Sequence, residues 1–164
     1  MGSLQEGRHT TPSEDDVTVF LVGMRFNQPW KVHRWLPVFL AMPRMLTHLE
    51  RHPEAGLLGH HLWAGRTMLV VSYWRSPDHL QRFAADRDAP HLAAWRRFQR
   101  RAAAGGRAVG VFHETYVSHP GEREAVYVDM PRFGLAAATG SAPVDERTRT
   151  ARQRLAAGRS STSR

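Results

Sequence analysis

VTVFLVGMRF, residues 17–26, is apolar on both faces of an extended chain. Successive strand side chains point to opposite faces. A strand with one wet face would therefore alternate apolar and polar residues. Here Val17, Val19 and Leu21 would fall on one side, and Phe20, Val22 and Met24 on the other. The stretch is also rich in β-branched residues, which predicts a central strand covered on both faces.

Working outward, apolar residues at Trp35, Leu36, Phe39, Met42, Met45, Leu46 and Leu49 recur at helical spacing over 34–51. Pro43 is expected to kink that helix, because it lacks an amide donor and crowds the preceding turn. HPEAG (52–56) ends it. Residues 56–65 and 66–75 read as a hairpin turning at Ala64-Gly65-Arg66. Ser76-Pro77-Asp78 is a helix start, with a capping hydroxyl, a proline in the first position and a carboxylate at the positive end of the dipole. A break near Asp86–Pro90 precedes a second helix over 88–106, then a strand over 107–118 and a short one over 124–129.

The resulting order is β-α-β-β-α-β. That is an α+β, ferredoxin-like split arrangement, an antiparallel sheet with helices on one face. Strands 17–26 and 66–74 are apolar on their second face too. The economical cover is a second copy of the chain, two sheets closing into a dimeric α+β barrel. Residues 1–16 read as a disordered acidic arm and 139–164 as a disordered basic tail, which leaves a folded body at 17–138.

The chain has 164 residues, no cysteine and a net charge of +8. Disulfides, thiolate nucleophiles and zinc–thiolate sites are excluded. No apolar run approaches the roughly 20 residues of a spanning helix, and the chain reads as a soluble cytoplasmic protein. Lys31 is the one lysine. The arginine excess favours acidic small-molecule or protein partners and is a poor argument for nucleic acid. HExxH, Walker, GxGxxG and GxSxG motifs are all missing.

The candidate chemistry sits on two elements. In GVFHETYVS (110–118), Val109, Val111, His113, Thr115 and Val117 share one face of a strand, while Phe112, Glu114 and Tyr116 share the other. An imidazole in an apolar row suits metal ligation or proton transfer, although a hydrogen-bonded core histidine has the same pattern. Glu114 and Tyr116 are placed to pair with an arginine, for which Arg25 is the candidate. On the helix 88–106, His91 falls on the stripe of Trp95 and Phe98, in the first turn, where the dipole disfavours its protonation. Capping the helix is its plainer role. Trp35, Trp74, Trp95 and Phe112 are the candidates to line a cavity for a flat apolar ligand.

The blocks FLVGMRFNQPWKVHRWLPVFLAMPRMLTHLE, GLLGHH, YWRSPDHLQRFAADRDAPHLAAWRRF, VGVFHETY and EAVYVDMPRFGL, in that order, resemble a bacterial and fungal family named after a fungal polyketide monooxygenase of fumagillin biosynthesis. The resemblance spans about 17–138. It implies the dimeric α+β barrel fold, shared with cofactor-independent antibiotic-biosynthesis monooxygenases, haem-degrading monooxygenases and haem aldoxime dehydratases. In haem-binding relatives a histidine ligates iron, and His91 is similar to it in its placement on a helix.

The expectation from residues and resemblance together is a homodimeric monooxygenase of secondary metabolism, acting on an apolar, polyketide-like natural product. His113, Glu114, Tyr116 and Arg25 would form the catalytic set. Haem is a possible cofactor, held by His113 or His91. The alternatives are haem-dependent aldoxime dehydration and non-catalytic binding of haem or an apolar metabolite.

Overall fold

A computed structural model describes residues 2–12, 14–86, 96, 100 and 106–161. Its larger sheet has four antiparallel strands: β2 (Val17–Phe26), β3 (Leu57–Trp63), β4 (Thr67–Trp74) and β5 (Val109–Ser118). Their spatial order is β3-β4-β2-β5. The strand read as central is central, pairing with β4 on one side and β5 on the other. This is the ferredoxin-like order expected for a split βαβ pair.

Three helices cover one face: α1 (Val32–Phe39), α2 (Ala41–Arg51) and α3 (Pro77–Ala85). The kink expected at Pro43 is a full break three residues earlier, at Leu40. A proline ring clashes with the carbonyl four residues before it, here that of Phe39, so the helix ends there and restarts with Pro43 in a first turn. Ser76 caps α3 as expected, its hydroxyl accepting from the His79 amide at 3.3 Å. The helix expected over 88–106 lies outside the described residues, apart from Arg96 and Arg100, which are helical and exposed.

Two apolar clusters hold these helices to the sheet. Leu49 of α2 and Leu80 and Phe83 of α3 surround Trp74. Trp35 and Phe39 of α1 pack on Met24 and Val109. Both clusters draw on alternate residues of the strands, as the pleat requires.

The terminal segments are ordered. Gln5–Thr10 forms β1, paired with β6 (Val126–Met130) on one side and β7 (Ala142–Pro143) on the other. The bulge in β1 falls at Gly7, whose φ of 80° suits glycine and whose amide donates to the Asp129 carboxylate at 2.7 Å. A short helix, α4 (Leu135–Thr139), and α5 (Ala151–Ser161) follow. Thr150 and Gln153 form a reciprocal cap at the start of α5, each side chain accepting from the other's amide. Arg154, 7 % exposed, then donates to Glu124 at 2.6 Å and to the carbonyls of Thr148 and Arg149.

These contacts replace the expected arm and tail. Their bonds are backbone pairing, side-chain bonds to the backbone and the Arg154–Glu124 ion pair, none of which leaves an apolar pattern in sequence. Arg154→Met is therefore expected to destabilise the chain by about 1–2 kcal/mol, since it removes the buried guanidinium's bonds to two carbonyls and to the partly exposed Glu124 carboxylate. Chemical denaturation would read it, and a change under about 0.5 kcal/mol would show the tail to be loosely held.

Candidate functional site

Strand register decides which side chains can meet. His113 lies opposite Val22 and Thr115 opposite Phe20, with Val70 and Ser72 next across the sheet. All six point to the helix-covered face. Glu114 lies opposite Leu21 and Phe112 opposite Gly23, on the other face.

Between the helices and the sheet lies a cavity of about 410 Å³, a size that suits a small organic ligand. Its walls include Phe20, Trp74 and Phe83 and the flexible side chains of Met24, Met42 and Met45. The polar side chains in its lining among the described residues are Ser72, Gln81, His113 and Thr115. Ser72 is already engaged: its hydroxyl donates to the Phe20 carbonyl and accepts from the Trp74 indole, both at 3.0 Å. That bond holds Trp74 in the wall. The His113 ring packs against Phe20 at 5.8 Å and makes no hydrogen bond among the described residues. Among the described residues neither ring nitrogen is engaged.

Of the residues expected to build the site, His113 and Trp74 meet at this cavity. Trp35 does not. Its ring sits edge-on to Phe26 at 4.7 Å, and its indole donates to the Pro29 carbonyl. Glu114 and Tyr116 pair with each other on the opposite face, at 2.7 Å, and Tyr116 is 55 % exposed. The carboxylate accepting its proton raises the Tyr116 phenol above its ordinary value. Phe112 lies over Gly23 on that same face, so close that any Cβ on residue 23 would strike its ring. Arg25 is on this face too, four residues and about 13 Å along β2 from the partner of Glu114. Its guanidinium donates to Thr67 instead. His91 and Trp95 lie outside the described residues.

The outer face of the sheet is partly covered by the chain itself. Phe133 stacks on His61 at 4.0 Å, and the Gly134 amide donates to His61 Nε2 at 2.7 Å. Burial, and secondarily the charge of His60, lowers the His61 pKa below its ordinary 6.5. The neutral ring is thus the folded form, and the stability it contributes is present above pH 6.5 and lost as pH falls through the folded-state value. His61→Gln keeps an acceptor for Gly134 without titrating. Melting temperatures between pH 7.5 and 5 are expected to fall less steeply for the variant than for the parent.

Haem, which the family resemblance allows, needs an axial ligand and partners for its propionates. His113 supplies an imidazole, but no Arg or Lys among the described residues lines the cavity. Two propionates would lack partners there. The described lining does not fit that group. No cluster of three or more His, Asp or Glu among the described residues is arranged to hold a metal ion. No described helix is long and apolar enough to cross a membrane.

Two solved aldoxime dehydratases, one in complex with butyraldoxime, superpose on the chain with TM-scores of 0.66 and 0.61 at 17 % and 18 % identity. Each match covers 85 % of this chain and under half of the other, 43 % and 44 %. They share its fold. Monooxygenase af470 of Aspergillus fumigatus is 28 % identical over 137 residues, covering 76 % of this chain and 47 % of that protein. This chain thus spans about half the length of the relatives it matches. The family model for "Monooxygenase af470-like" matches residues 17–135, which runs from the first residue of β2 to the first of α4 and takes in the whole four-stranded sheet. On that match, the chain belongs to the monooxygenase af470-like family.

Proposed function

We propose that the chain is a monooxygenase that oxidises an uncharged apolar molecule held between the sheet and its helices. The observation that carries this reading is His113, an imidazole without a hydrogen bond among the described residues, facing a cavity whose other described walls are mostly apolar. An imidazole is the side chain that takes up or releases a proton near neutral pH. Set at this site, it accepts a proton from an activated methylene of the substrate; the carbanion adds dioxygen, and the resulting hydroperoxide takes the proton back and loses water as the carbon becomes a carbonyl, so that the substrate supplies all the electrons. Thr115, next along the same face, and Gln81 on α3 orient the polar end of the substrate.

The working form is a homodimer. Val19 and Leu21 on the outer face of β2, with Phe112 and Tyr116 beside them, are the part of that face which α4 and Phe133 leave open. Glu114 and Tyr116 then belong to the subunit contact. The dimer reading predicts that sedimentation at micromolar concentration gives twice the chain mass, and a stable monomer would remove it.

The activity is tested by oxygen uptake on a panel of phenolic and polyene substrates, with mass spectrometry for incorporation of one ¹⁸O atom. Binding without oxygen uptake across the panel would favour a carrier over an enzyme.

A further inference from the structure

The register across the four strands lines up one straight row on the cavity floor: His113 on β5, Val22 on β2, Val70 on β4 and Leu62 on β3. Three strand spacings separate its ends, about 14 Å. His113 is the polar end. Val22 and Val70 are apolar and shared with a smaller adjoining hollow of about 40 Å³, which reaches Leu62 at the sheet edge. Leu62 is 47 % exposed. Val70 is 1 % exposed, and the flexible side chain of Met42 lines both spaces.

We propose that this row is a length gauge: the ligand lies across the strands, its polar end at His113 and its tail running over Val22 and Val70 to solvent at Leu62. The tail crosses the buried Val70 to Leu62 once the Met42 side chain swings aside. The inference rests on the cavity being the ligand site proposed above, and adds how the ligand lies and what limits its size. With carbon–carbon bonds near 1.5 Å, a row of this length takes a chain of roughly eleven carbons. Each methylene up to that point moves from water to an apolar wall. Beyond Leu62 the chain re-enters water and gains nothing. The described lining has no cation, so the ligand's end is unionised; burying a carboxylate there has no compensating partner.

The test is displacement of Nile red, an uncharged dye, by straight-chain 1-alkanols of even length from six to fourteen carbons. Affinity is expected to rise roughly fourfold per methylene, then level off between ten and twelve carbons. Leu62→Gln, at an exposed position, should leave hexanol binding unchanged within about twofold and weaken dodecanol binding about tenfold. His113→Leu should weaken every chain length by the same factor, since it removes only the hydroxyl's partner. Decanoate should bind at least about tenfold more weakly than decanol at pH 8. Affinity that climbs at constant slope through fourteen carbons, a Leu62→Gln loss equal at all lengths or absent at all of them, or failure of every alkanol to displace the dye would each overturn the gauge. Because binding is read without turnover, a protein that shows the length break but takes up no oxygen would sink the monooxygenase reading and leave the gauge standing.

Discussion

His113→Leu is expected to lower turnover by about 10²–10⁴-fold while moving the melting temperature by no more than about 2 °C. The expectation follows from what the ring touches. It packs on Phe20, makes no hydrogen bond among the described residues, and faces the cavity from an exposed position on β5. Leucine leaves no buried group without a partner, so folding has little to lose. Proton transfer has everything to lose, because Ser72 is committed to Phe20 and Trp74, and neither Thr115 nor Gln81 titrates near neutral pH. Glu114→Gln and Tyr116→Phe, on the opposite face of the sheet, are the controls and should hold turnover within about threefold. Retention of most activity by His113→Leu, or its loss in Glu114→Gln, would move the chemistry to the outer face.

Trp74→Ala is expected to cost about 3–5 kcal/mol of stability, a fall in melting temperature on the order of 10 °C for a chain of this size. Trp74 is 2 % exposed and is among the largest fully buried side chains. It joins α2 and α3 to the sheet through Leu49, Leu80 and Phe83, with the Phe83 ring at 5.5 Å. Alanine would enlarge a cavity that is already 410 Å³, so the surroundings have no reason to collapse onto the gap. Trp74→Phe keeps most of the packing and loses the indole bond to Ser72. It should cost about 1–2 kcal/mol. A loss under about 1 kcal/mol for the alanine variant would show that the helices are held elsewhere.

The sheet was legible because β2 and β4 carry large apolar residues on both faces, while Gly65, Pro77 and Pro43 punctuate the chain. The order of strands followed from their number and from the helices between them. The family was legible for the same reason: the matched segment is the body that burial constrains. Of the site, two residues were found together. His113 stood out as the polar break in an apolar row, and Trp74 as a large ring at a strand end. Glu114, Tyr116, Phe112 and Arg25 were grouped with them in sequence, yet the pleat sends them to the other face.

Thr150-Ala151-Arg152-Gln153 was a readable capping signal for α5, but β1 had none. Its six residues, QEGRHT, carry no apolar row and are held by backbone bonds to β6 and β7. By itself, then, the sequence determined which segments form the central sheet, where α3 starts and stops, and that one histidine breaks an apolar face. Those properties depend on local geometry and on burial, and both leave a period in the residues. Only the tertiary structure decided that Gln5–Thr10 joins a sheet with β6 and β7, that Arg154 finds Glu124, and that His113, Val22, Val70 and Leu62 form one line across four strands. Backbone pairing and register join residues far apart in the chain, and no local pattern encodes which ones will meet.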